Sequence, residues 1–131
     1  MRTLSMLCAV LIVGLAACTA PEPFKLTGIQ LTNKIDAGNH VYSPGTVFAT
    51  SATIYASIAT EGSGGATLGA QWLGADGTTV LAEQSQKVEQ TTATQYEFHY
   101  APEGGWEAGK RYSVIITVDG GQKRTRDFEI R

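Results

Sequence analysis

From Phe24 to the C-terminus the chain places apolar residues at alternate positions in run after run, with glycine-containing breaks between the runs. A period of two is the mark of strands with one buried face, and no stretch carries a convincing helical period. Phe24 to Thr32 alternates weakly through Leu26, Ile29 and Leu31; Asp36-Ala37-Gly38-Asn39 reads as a turn, and a short extended piece at His40 to Ser43 stops at Pro44-Gly45. Thr53 to Thr60 puts Ile54, Ala56 and Ile58 on one face, and Glu61 to Gly65 is an open loop. Leu68, Ala70 and Trp72 share a face of the next strand, which turns at the two-residue hairpin signal Asp76-Gly77 into a partner from Thr78 to about Val88. Thr94 to Tyr100 alternates most cleanly, with Tyr96, Phe98 and Tyr100 opposite Gln95, Glu97 and His99. Arg111 to Asp119 carries Tyr112, Val114, Ile116 and Val118 on one face, and Gly120-Gly121 turns it into Gln122 to Ile130.

About seven short strands joined by hairpin-type turns predict an all-β protein, an antiparallel sandwich of two sheets. One segment sharpens this. Trp106-Glu107-Ala108-Gly109-Lys110-Arg111-Tyr112-Ser113-Val114 resembles the turn into the penultimate strand of fibronectin type III and immunoglobulin-like domains. There a large apolar residue, a turn and a tyrosine form the tyrosine corner, whose hydroxyl bonds to upstream backbone. Trp106 stands where leucine is usual and Ala108 where proline is common. The resemblance implies an immunoglobulin-like β-sandwich and carries no activity with it.

Ahead of the strands, Arg2 is followed by an almost wholly apolar or small run from Leu4 to Ala17, the layout of a secretory signal. The run is shorter than the roughly 20 apolar residues a spanning helix needs. It ends in Leu15-Ala16-Ala17-Cys18, which resembles the lipobox of bacterial lipoproteins. The resemblance implies cleavage before Cys18, a lipid on Cys18 that holds the mature chain to the membrane, and acylation enough for stable attachment. Thr19, where an inner-membrane lipoprotein would carry aspartate, implies the outer membrane, on its periplasmic or surface face. The layout is then a signal peptide at 1–17, a lipidated tether at 18–23 with Pro21 and Pro23 favouring an extended path, and an immunoglobulin-like domain at 24–131.

Composition narrows the rest. The mature part, about 110 residues, is the usual size of one domain. The chain has only two cysteines, Cys8 inside the signal and Cys18, so the domain is expected to fold without a disulfide. A net charge of −2 argues against a nucleic-acid partner. The charge is uneven, because Lys110, Arg111, Lys123, Arg124, Arg126 and Arg131 crowd the C-terminal quarter.

Residues suited to chemistry are few. His40 and His99 are the histidines; His40 follows a turn, and His99 lies on the polar side of an alternating strand. Neither belongs to a nucleophile motif, and two separated histidines are a poor start for zinc. Asp36 to His40 offers oxygens for calcium but lacks dense carboxylate spacing, and a turn is the better account. Glu83 with Glu89, or Glu103 with Glu107, could be paired as a glycosidase pairs carboxylates, without any motif to single them out. Gly62 to Gly65 lacks the lysine and following helix of a phosphate cradle. Trp72 shares parity with core residues, whereas Trp106, before the tyrosine corner, could either cap the core or stack on a sugar.

No cofactor, metal or catalytic residue is therefore expected. The sequence suits a non-catalytic binding or assembly module at the cell envelope, with a carbohydrate- or envelope-polymer-binding module as the alternative and a small periplasmic hydrolase as a third. Lys123, Arg124 and Arg126 are the candidate contacts to a protein or anionic envelope partner. Arg124 and Arg126 share parity with Phe128 and Ile130, so a regular strand would aim them at the core; a hairpin projecting past the sandwich, or a bulge shifting the register, would release them. Otherwise their charge serves to keep an exposed edge strand from aggregating.

Overall fold

The structure, a computed structural model, describes residues 21–131, so Cys18 and the signal lie outside the described residues. It is all-β, with eight strands: β1 Lys25–Thr32, β2 Val47–Phe48, β3 Ile54–Glu61, β4 Gly64–Leu73, β5 Val80–Gln90, β6 Thr94–Tyr100, β7 Arg111–Val118 and β8 Gln122–Ile130. They form a three-stranded sheet in the order β1-β3-β6 and a five-stranded sheet in the order β2-β8-β7-β4-β5. The chain passes from the smaller sheet to the larger at β2, returns at β3, changes again between β3 and β4, back between β5 and β6, and once more between β6 and β7. This is an immunoglobulin-like sandwich.

The alternating faces meet as the sequence pattern requires. Ile54, Ala56 and Ile58 on β3 are fully buried, as are Leu68, Trp72, Val114 and Ile116 on the larger sheet. Each of the valine, leucine and isoleucine side chains among them stabilises the fold by about 1.5–3 kcal/mol relative to exposure. One end of the core is aromatic: the Trp106 ring centroid lies 4.8 Å from that of Tyr112, 5.2 Å from that of Phe128 and 5.6 Å from that of Tyr100. The tyrosine corner closes that end, for the backbone N–H of Glu107 donates to the Tyr112 hydroxyl at 3.2 Å.

Three local expectations need correcting, the first being the open loop from Glu61 to Gly65, since β3 runs to Glu61 and β4 begins at Gly64. His40 to Ser43 is not a strand; only the isolated bridge Ile35↔Val41 forms there, and the extended pairing comes after Pro44-Gly45, at β2. β2 runs parallel to β8, pairing Val47 with Glu129 and Phe48 with Ile130, while every other named pair is antiparallel. The β4–β5 connection is longer than two residues. Leu73 pairs with Val80, and Gly74 N–H donates to the Thr79 carbonyl at 2.8 Å. Asp76 organises the loop by accepting from the amides of Thr78 and Thr79 and from the Thr79 hydroxyl. These bonds, the Thr79 hydroxyl above all, hold the Asp76 carboxyl down to about 2.

The start of the domain is fastened. Ser63 N–H donates to the Glu22 carbonyl at 2.9 Å, Pro23 bridges Ser63, and Lys25 pairs with Glu22 at 3.6 Å and Glu61 at 3.4 Å. Gly62 makes room for this: its φ is +83°, and a Cβ there would stand 2.1 Å from the Pro23 carbonyl oxygen.

Candidate functional site

The basic cluster lies along one lateral margin of the sandwich, where the β8 side of the larger sheet faces β1, an edge strand of the smaller one. β7 and β8 pair without a register break from Arg111↔Glu129 to Val118↔Gln122. Hence the hairpin does not escape the sheet and no bulge turns the arginines outward; both of those ideas are corrected. Arg124 and Arg126 keep their inward parity, and the sandwich is open at its margin, so each guanidinium reaches the outer row of β1 carbonyls instead of the core. Arg124 Nη1 donates to Thr27 O at 2.9 Å and Nη2 to Leu26 O at 3.4 Å. Arg126 Nε donates to Ile29 O at 3.2 Å. β1 is irregular between Leu26 and Gly28, which brings the Leu26 and Thr27 carbonyls within reach of one guanidinium. Lys123 alternates with them and is exposed on the other face of β8. The three side chains therefore do not share one face of β8.

The opposite margin uses another chemistry, which the sequence reading missed. Inward positions of β5 carry amides: Gln84 Nε2 donates to His99 O at 2.8 Å, and Gln86 Nε2 to Glu97 O at 2.6 Å. Gln84 also accepts from Trp72 Nε1 at 3.0 Å, satisfying an indole whose residue is wholly buried. Gln90, itself buried, accepts from the Thr60 and Tyr96 hydroxyls, each at 2.9 Å, and donates to Gly62 O at 3.1 Å. The available signal was parity: Gln84, Gln86 and Gln90 share the side of the strand that carries the half-buried Ala82 and Val88.

Other candidate residues are occupied locally. Trp106 is buried and donates its Nε1–H to Ala52 O at 2.8 Å, so it caps the core and offers no open face to a sugar. The Asp36 carboxylate accepts from the amides of Gly38 and His40 at 2.8 and 2.9 Å. The His40 amide leads in lowering its pKa, and the loop behaves as a turn that caps itself. That loop folds over the outer face of the smaller sheet, where Ser57 Oγ donates to Asn39 O at 2.7 Å and Asn39 Nδ2 to Gln95 O at 3.3 Å. His99 is exposed beside Glu97 at 3.0 Å and its ring lies 5.2 Å from Tyr55. Glu83 accepts from Gln71 at 2.6 Å; Glu89, Glu103 and Glu107 are exposed. Among the described residues no group of three metal-binding side chains occurs, and no helix is long and apolar enough to cross a membrane. A hollow of about 440 Å³ lies on the outer face of the larger sheet around Gly69, lined by Thr67, Glu83, Ser85, Thr117 and Asp119.

No family model and no curated protein matches the chain in sequence. Solved structures do match it in fold. The domain superposes on part of the β-glucosidase EmGH1 from Erythrobacter marinus with a TM-score of 0.54 and 9% identity, covering 83% of this chain and 15% of that one. It superposes on part of the alkylpurine DNA glycosylase AlkC from Pseudomonas fluorescens, bound to DNA containing an abasic site analog, with a TM-score of 0.52 and 12% identity, covering 82% of this chain and 30% of that one. A CARDB domain from Pyrococcus furiosus, in complex with di-metal ions, gives a TM-score of 0.49 and 12% identity over 85% of this chain and 89% of that one. The likeness is one of fold. The chain spans less than a third of either enzyme, and immunoglobulin-like sandwiches serve many unrelated roles.

Proposed function

We propose that this chain is a lipid-anchored protein of the bacterial cell envelope whose immunoglobulin-like domain acts as a non-catalytic binding or assembly module. The observation that carries the reading is the fastening of Glu22 and Pro23 to Ser63 and Gly62. It holds the start of the domain to the end of the sandwich that carries the β3–β4 connection and the Asp119–Gly121 turn. From Cys18 to Glu22 an extended chain reaches about 14 Å at most. A lipid on Cys18 would thus keep that end near the bilayer, and the opposite end, about 25–30 Å away along the strands, would face outward. The outer membrane, on its periplasmic or surface side, is the proposed location.

The test is Cys18→Ala, followed by cell fractionation and metabolic labelling with palmitate. The parent chain is expected to take up label and sediment with membranes, and the variant to take up none and leave the membrane fraction. A Cys18→Ala chain that is still acylated and membrane-bound overturns the anchor.

A further inference from the structure

We propose that β5 is a self-association edge, and that two copies of this chain join β5 to β5 in antiparallel fashion around Ser85 to make one continuous sheet. Among the described residues β5 pairs only with β4, leaving the outer row of its N–H and C=O groups without strand partners. It is the longest strand, at 11 residues. It contains no proline, and its register with β4 is regular from Gly64↔Gln90 to Trp72↔Ala82. The other margin is blunted: β1 carries an irregularity at Leu26/Gly28, its carbonyls take the arginines, and one end of β8 is covered by β2. On β6, the carbonyls of Glu97 and His99 are taken by Gln86 and Gln84. β5 is the long edge left free, and such an edge is a template for another strand.

The occupant follows from the side chains. Glu83-Gln84-Ser85-Gln86-Lys87 is symmetric about Ser85 in size and opposite in charge at its ends. With Ser85 on a two-fold axis normal to the sheet, Glu83 stands opposite Lys87 of the second copy, and the second copy's Glu83 opposite Lys87. All three are exposed on the outer face, so the pairs form without burying a charge. On the inner face Ala82 meets Val88, and Gln84 meets Gln86. Sliding the register by one pleat either way destroys the match. Centred on Gln86, Glu83 meets Glu89 and Lys87 meets serine; centred on Gln84, Lys87 meets Leu81. A C2 contact of this kind is self-complementary and closes at two copies. The inference depends on the sheet alone and stands whether or not Cys18 carries a lipid.

The experiment uses the full chain in detergent, with its mass followed against concentration by sedimentation equilibrium. The parent is expected to pass from monomer to dimer. Lys87→Glu, which sets like charges opposite one another twice, should weaken the dimer roughly tenfold or more. Glu83→Lys should do the same, and the double swap Glu83→Lys with Lys87→Glu should restore the parent's dimer. Register is read by cysteine placement. Ser85→Cys stands opposite itself at about 4.5–5.5 Å between Cα atoms, within disulfide range, and should cross-link under oxidation. Glu83→Cys stands about 13 Å from its own copy and should not. A parent that stays monomeric, a double swap that fails to rescue, or cross-linking at residue 83 as readily as at 85 overturns the proposal.

Discussion

The two lateral margins of the sandwich face the same difficulty and meet it with different groups. At each, an edge strand of the smaller sheet leaves carbonyls unpaired where the layers diverge. On the β8–β1 side they are met by the guanidinium groups of Arg124 and Arg126; on the β5–β6 side by the amides of Gln84 and Gln86. A guanidinium carries charge to a rim where water can still reach it, so its head keeps part of its solvation. An amide is neutral and both gives and accepts, so it can sit deeper and join several groups at once, as Gln90 does. The lesson is that the rim of a sandwich can hold charged and neutral donors alike on the carbonyls of an edge strand. Arg124 and Arg126 are engaged by the backbone of β1, while Lys123 stays exposed on the other face of β8.

The depth difference sets the order of expected effects. Gln90→Leu removes the partner of the Tyr96 hydroxyl and of the Gly62 carbonyl at a buried position, whereas the Thr60 hydroxyl keeps Thr94 O at 2.7 Å. Leaving such groups unpaired costs about 1–3 kcal/mol each where no water can enter, and part is recovered by burying leucine. A loss of about 2 kcal/mol is expected, read as a lower urea midpoint with an unchanged slope. An effect below that of the arginine change described next would mean that the amide margin is not the tighter of the two.

Arg124→Met keeps the length of the stem and removes the donors to Leu26 and Thr27. Because Arg124 is only half-buried, water can replace the guanidinium, and about 1 kcal/mol is expected. Faster amide exchange along β1, with β6 unaffected, would be the local sign of an opened margin. Exchange rising equally on both edge strands would show that the two margins do not act separately.

Much of this fold is legible in alternation alone. β6 spans Thr94–Tyr100 and β8 spans Gln122–Ile130, as the pattern predicts: Tyr96, Phe98 and Tyr100 share one face of β6, and Gly120-Gly121 marks the turn at which β8 begins. Where the pattern fails, the reason is physical. β2 is two residues long and held by parallel pairing to a strand far along the chain, so no local period can announce it. The inward arginines looked like a contradiction because parity distinguishes two faces of a sheet, whereas the rim of a sandwich is a third environment, apolar on one side and wet on the other. Trp106 was ambiguous for the same reason: its partners, Ala52 and the Phe128 ring, come from distant segments.

The loop that feeds β5 adds the smallest effect, and it carries a sign. Asp76 holds the turn between β4 and β5 through Thr78 and Thr79, and its folded pKa of about 2 lies below the ordinary value of 3.8. A carboxyl whose pKa is depressed by folding adds stability that is fully present above the unfolded pKa and is lost as pH falls through the folded one. The contribution should therefore be constant above about pH 5 and disappear between about pH 4 and 2. Asp76 is exposed, so the change is small, and it is best isolated as a difference. Asp76→Asn is expected to be less stable than the parent at neutral pH, and the gap should close as pH falls through this window. A gap that persists at pH 2, or that closes on the alkaline side instead, would mean that the Thr79 contacts do not depend on the ionised carboxylate and that the β5 edge is set by its pairing with β4 alone.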